Sequence, residues 1–168
     1  MKPIVLFILP SYGVATKAAI ANLYPIGAIS VSAYIKQQGF TVIPLNLGMH
    51  DGKLEDILLD HITKYKINIL AIGGLFSEFA LVSKVVSISK KINPSLITVV
   101  GGGLVTCDPE TVMQGIPQID FGIIGEGEVT FVELLNLIEN GKRYDIQHRK
   151  NGRQIKVRDD VKRYRPDS

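Results

Sequence analysis

One cysteine, Cys107, stands in 168 residues, so this chain alone supplies neither a disulfide framework nor a multi-cysteine metal cluster. No apolar run approaches the roughly 18 residues that a membrane span requires, and the apolar fraction of 46% is ordinary for a globular protein. The apolar run at the amino end stops at Pro10, too short for a signal peptide, and no small-residue cleavage site follows. A cytoplasmic location is therefore expected. There is no internal repeat and no low-complexity segment. No acid–base pair, nucleophile–base pair or metal cluster is visible, so the isolated chain is expected to be non-catalytic. The net charge of +3 conceals an asymmetry. Residues 1–141 hold 9 Lys/Arg against 12 Asp/Glu, and residues 142–168 hold 10 against 4. The body is mildly acidic and the tail basic.

What is present is a regular alternation of strand and helix signals. Continuous β-branched runs at 4–9, 40–46, 67–73, 96–100 and 119–124 have the texture of parallel strands covered on both faces. Pro25 opens a helix whose apolar stripe is expected at Ile26, Ile29, Ala33 and Tyr34, and Gly39 stops it. Residues 53–64 form an amphipathic helix with Leu54, Ile57, Leu58 and Ile62 inward. Glu78–Ile92 is a third helix. Asp108 caps a short one with Pro109 at its first position. Gly125-Glu-Gly-Glu128 leads into a last helix closed by Gly141. The pattern predicts an α/β, flavodoxin-like (Rossmann-like) doubly wound domain over 1–141. Its five-stranded parallel sheet takes the order 2-1-3-4-5, with the second strand, containing Pro44, at an edge. Residues 142–168 read as a basic β-hairpin with an Asn151-Gly152 turn and a linker.

In such a fold ligands sit at the carboxyl edge of the sheet. Four loops converge there, at 10–24, 73–78, 101–108 and 124–128, and three are rich in glycine. The first strand is not followed by Gly-x-Gly-x-x-Gly, which disfavours a dinucleotide site. No Gly-x-x-x-x-Gly-Lys-Ser/Thr occurs, and no acidic residues end the first strand as a receiver domain would require. Flavodoxin-type FMN binding has only Ser11 and Thr16 to offer a phosphate.

The ordered set Pro25-Ile-Gly27-Ala-Ile-Ser, Gly39-Phe-Thr-Val, Val100-Gly-Gly-Gly-Leu-Val-Thr106 and Asp120-Phe-Gly-Ile-Ile-Gly-Glu-Gly-Glu-x-Thr130-Phe resembles a known family. It is similar to the cobalamin (B12)-binding domain at the amino end of many radical SAM enzymes, from residue 4 to about 157. The resemblance implies a corrin disc over the sheet's carboxyl edge and a nucleotide tail threaded between sheet and helices. Gly101, Gly102 and Gly103 would flank the tail, with Leu104 and Thr106 near it. Ser77 would face its base. Leu75 and Phe76 would seat the corrin. Gly125 and Gly127 would lay backbone against the nucleotide, and Glu126 would reach corrin amides or the ribose. Thr130 and Ser11 would also belong to the cofactor site, and the lower cobalt face would meet water, a side chain such as Tyr12, or nothing. The resemblance also implies a radical SAM catalytic domain in cis, which would carry S-adenosylmethionine and a 4Fe-4S cluster that this chain lacks.

The wider family places a cobalt-ligating histidine in the first loop, and here that loop has none. His50 follows the outermost strand, and Asp60-His61 is expected to face solvent, so no protein ligand to the metal is assigned. Cys107 is read as a small residue capping a helix, and Glu128 as charge compensation at a helix N-terminus. The basic tail, with only Tyr144 and Tyr164 among its cations, makes nucleic acid an unlikely partner, and no membrane contact is indicated. Two rivals stay open. One is a flavin-binding electron carrier, and the other an interaction module that keeps the fold without a ligand.

Overall fold

The structure, a computed structural model, describes residues 2–10, 25–141 and 154–157. The helices α1 (Ile26–Gln37), α2 (Leu54–Lys64), α3 (Phe79–Ile92), α4 (Gly103–Cys107), α5 (Pro109–Gly115) and α6 (Gly127–Glu139) alternate with strands. Those are β1 (Ile4–Leu9), β2 (Thr41–Asn46), β3 (Ile69–Gly73), β4 (Ile97–Gly101), β5 (Phe121–Ile124) and β6 (Gln154–Val157). Strand order is β2-β1-β3-β4-β5-β6, with β1 to β5 parallel as the sequence predicts. A sixth strand falls within the span expected as a hairpin. β6, one arm of it, pairs antiparallel with β5 and so covers what would otherwise be an open sheet edge. The other arm, the Asn-Gly turn and the linker lie outside the described residues.

Alternation along each strand divides the core in two. Leu6, Ile8, Leu70, Ile72 and Val100 face α2 to α5, packing with Leu58, Val85, Val86 and Val112. Val5, Phe7, Ile69, Ala71, Val99 and Ile123 face α1 and α6, packing with Ile35, Phe131, Leu134 and Leu135. The helix α2 turns inward the residues its period predicts. In α1 the stripe is displaced. Ile26, Ile29 and Ala33 are exposed and Tyr34 half-buried, while Ala28, Val31 and the fully buried Ile35 face the sheet. Two apolar stripes run along this helix, and its composition does not choose between them. Gly39 adopts φ +86°, and the Phe40 N–H returns to the Ile35 carbonyl at 3.3 Å, closing α1 as the sequence predicts.

Asp108 caps α5, accepting from the Thr111 N–H at 3.1 Å. The Thr111 hydroxyl and then its N–H hold the carboxyl below its ordinary value of 3.8. A carboxyl depressed in the folded state stabilises above its unfolded pKa, and that stability is lost as pH falls through the folded value. Asp108→Ala should therefore lower Tm at neutral pH, with the gap to wild type closing below about pH 4. Tm measured across pH 2.5–7 checks this; a constant gap would remove the capping role.

Candidate functional site

The carboxyl ends of β1, β3, β4 and β5 open onto a cavity of about 310 Å³. Its floor is one face of the sheet: Phe7, Ala71 and Val99 lie side by side in register, and Ile123, two residues beyond the Val99 partner Phe121, adds to it beside Gly101. Ala71, the smallest of them, leaves room above the sheet. The helix α1 walls one side with Gly27, Ala28 and Val31, and α6 the other with Gly127, Glu128 and Phe131. The two helices meet where the Ser30 hydroxyl donates to Glu128 Oε1 at 2.7 Å. A Cβ on Gly127 would stand 3.0 Å from Val31 Cγ2, so a glycine there lets α6 approach α1. Glu128 thus has a partner on the neighbouring helix besides its place in the first turn of α6.

The rim consists of Gly73-Gly74-Leu75, Gly101-Gly102-Gly103 and Gly125-Glu126-Gly127. The first two segments are tied together. Gly74 N–H donates to the Gly101 carbonyl at 3.3 Å, and Leu104 N–H donates to the Gly74 carbonyl at 2.9 Å. Gly125 N–H donates to Thr106 Oγ1 at 3.0 Å, tying in the third. The lining is apolar apart from exposed backbone and two carboxylates, Glu126 and Glu128, and no lysine, arginine or histidine lines it among the described residues.

Of the residues singled out in the sequence, the cavity gathers Leu75, Gly101, Gly102, Gly103, Gly125, Glu126 and Gly127. Phe76, Ser77 and Thr106 are exposed and outside its lining. Leu104 is fully buried in the core on the α2–α5 side of the sheet. Thr130 is buried too, its hydroxyl donating to the Glu126 carbonyl at 3.0 Å. Ser11 and Tyr12 lie outside the described residues. Sequence reasoning missed the α1 wall and Ala71; the signal was the small pair Gly27-Ala28 at the start of a helix otherwise apolar. Cys107 ends α4 and is exposed.

His50 and His61 do not line the cavity. His61 is not the solvent-facing residue expected: its side chain is 15% exposed, and its Nδ1 lies 2.8 Å from the Ile57 carbonyl. Its ring meets His50 edge-on at 5.4 Å and Tyr65 at 5.9 Å. Asp60 beside it does face solvent.

Residues 14–135 match the B12 binding domain family, a span that includes every segment of the cavity except Phe7 and Pro10. The chain belongs to the B12-binding domain family. This B12-binding domain is 28% identical over 138 residues to the anaerobic magnesium-protoporphyrin IX monomethyl ester cyclase of Rubrivivax gelatinosus, covering 82% of this chain and 25% of that protein. It is 28% identical over 158 residues to an uncharacterized methyltransferase of Pyrococcus horikoshii, covering 89% and 33%. The chain thus spans a quarter to a third of the length of these curated relatives. Among solved structures, it shares its fold with the radical S-adenosylmethionine methyltransferase TsrM of Kitasatospora setae, bound to cobalamin and a 4Fe-4S cluster. There the TM-score is 0.71 at 16% identity, covering 84% of this chain and 25% of that one. OxsB, a cobalamin-dependent S-adenosylmethionine radical enzyme with aqua-cobalamin bound, gives 0.62 at 17%, covering 83% and 19%. None of these matches supports the flavin alternative. No helix among the described residues is long and apolar enough to cross a membrane.

The residues present fit the cofactor that the family implies. An apolar floor of Phe7, Ala71, Val99 and Ile123 suits a flat aromatic base. Gly125 to Gly127 bring backbone to the N-terminus of α6, where a phosphate is favoured. Gly27 has nothing within 4 Å of where its Cβ would stand, so the wall is open at that point.

Proposed function

We propose that the cavity takes the nucleotide tail of cobalamin and that the corrin disc rests on the rim above it. The carrying observation is the apolar, glycine-rimmed cavity between the sheet and the helices α1 and α6. Gly101, Gly103 and Gly125 let backbone close on the tail, and the apolar floor excludes water from its base. At the mouth Ile26 is 79% exposed and Leu75 and Phe76 are each 54% exposed, an apolar surface that would be costly without a cover. In this reading the disc covers it, with Ser77 and Thr106 at its margin. When bound, cobalamin supplies a transferable methyl group or an electron-transfer centre; this chain's residues position it and shield it.

The domain is further proposed to work in cis with a radical SAM catalytic domain that holds S-adenosylmethionine and a 4Fe-4S cluster. The support is the radical SAM identity of its structural neighbours and the small share of them that this chain spans. Residues 142–168 would lead toward that domain.

Titration with hydroxocobalamin should shift its visible spectrum and raise Tm, since saturation at 100 times Kd stabilises by about 2.7 kcal/mol. An unchanged spectrum and unchanged Tm at saturating cofactor would overturn the reading. Because no histidine among the described residues lines the cavity, affinity should stay nearly flat between about pH 5.5 and 8, across the range where a ligating imidazole would gain a proton. A steep loss of affinity near pH 6.5, abolished in His50→Ala, would instead show a histidine on the cobalt.

A further inference from the structure

Glu78 ends the 3-10 turn Phe76–Glu78 that joins β3 to α3, and it is 8% exposed. Its two carboxylate oxygens are unequally served. Oε2 accepts the Leu75 N–H at 2.7 Å, whereas Oε1 is enclosed with no hydrogen-bond partner. An enclosed carboxylate oxygen without a donor is costly, and an apolar side chain would fill the same space at less expense. The carboxylate must therefore do something that packing alone does not.

What it fixes is the Gly74–Leu75 peptide. Gly74 is fitted to it: a Cβ at that position would stand 2.8 Å from Glu78 Oε2 and 3.3 Å from Glu78 Cβ. The Glu78 N–H donates back to the Leu75 carbonyl at 2.9 Å, so the turn is held from both sides. Gly74 in turn carries both hydrogen bonds that hold the rim segment 101–104. A connected path thus runs from a carboxylate outside the cavity to two of its three rim segments. We infer that Glu78 is a positioning residue for the cofactor site, setting the rim through the Leu75 amide without touching the ligand.

The inference rests on the cobalamin reading above, and its test separates the two. Hydroxocobalamin affinity and amide exchange of the cofactor-free chain are measured for wild type, Glu78→Ala and Glu78→Gln. In Glu78→Ala the Leu75 amide should exchange at least about tenfold faster while Leu70 and Val99 are unchanged, and affinity should fall by about tenfold or more. Glu78→Gln retains an acceptor for the Leu75 N–H and should bind within about threefold of wild type. Wild-type affinity in Glu78→Ala overturns the inference, as does faster exchange of Leu70 and Val99 together with Leu75. So does a Glu78→Gln protein as weak as Glu78→Ala; if Ala does not fold, the Gln result decides alone. Should wild type itself not bind hydroxocobalamin, the cofactor reading falls, and the Leu75 amide still reports whether Glu78 holds the rim.

Discussion

Gly102→Leu should cost the domain its stability before it costs the cavity its ligand. Gly102 adopts φ +80° and ψ −167°, a region essentially reserved for glycine and worth roughly 1–3 kcal/mol of strain to any other residue. A Cβ there would also stand 2.9 Å from the Gly74 carbonyl oxygen and 3.1 Å from its nitrogen. Both atoms belong to backbone already fixed by the Gly101 carbonyl and the Leu104 N–H, so neither can yield cheaply. Taking about 3 kcal/mol in all, Tm should fall by roughly 6–12 °C in a domain of this size. Gly27→Leu is the contrasting substitution. Gly27 lies inside α1, where replacing glycine favours the helix by a few tenths to 1 kcal/mol, and its Cβ would meet nothing within 4 Å. That variant should keep or raise Tm and weaken hydroxocobalamin binding by obstructing the wall. A Gly102→Leu protein with wild-type Tm would remove the backbone argument; a Gly27→Leu protein with wild-type affinity would move the ligand away from α1.

The contrast shows what the sequence could and could not convey about the site. A run of three glycines after a buried strand announces close backbone approach, and it does not say what approaches. Here Gly102 receives Gly74, a neighbouring loop, and only the rim as a whole faces the cavity. The same run conceals that α4 begins at once, which carries Leu104 and Val105 into the core instead of leaving Leu104 in a loop near the ligand. Strand order was legible because five apolar runs of strand length alternate with helix signals and Pro44 marks an edge. The facing of α1 was not, since a helix apolar on two sides has no unique inward stripe. β6 was legible as part of a hairpin, but its place was not: four residues in a basic tail carry no signal that would pair them with β5 in a sheet six strands wide.

The largest loss outside the site is expected from Asp120→Ala. In the sequence Asp120 belongs to the ordered motif that leads into Gly125-Glu126-Gly127, which invites a ligand role. The structure sets it just before β5, at the opposite end of the strand from the cavity. There its Oδ2 accepts the Thr98 N–H at 2.8 Å and the Lys90 ammonium at 2.6 Å, while the Asp120 N–H donates to Thr98 Oγ1 at 3.0 Å. The carboxylate joins the start of β4, the start of β5 and the last turn of α3. Removing it leaves the Thr98 N–H and a largely buried ammonium without that acceptor, a loss of about 3–5 kcal/mol. Asp120→Asn should cost less, because its amide oxygen can still accept from Thr98. Lys90→Met should also cost less than Asp120→Ala: it leaves the buried Asp120 carboxylate without the Lys90 charge, but methionine replaces the lysine stem and the Thr98 N–H still donates to the carboxylate. Denaturant unfolding should therefore show the largest loss in Asp120→Ala and smaller ones in Asp120→Asn and Lys90→Met. Hydroxocobalamin affinity of the protein that remains folded should be unchanged in all three, since the cluster faces away from the rim. Wild-type stability in Asp120→Ala would dismiss the cluster as a structural clasp, and weakened affinity in a fully folded variant would tie Asp120 to the site.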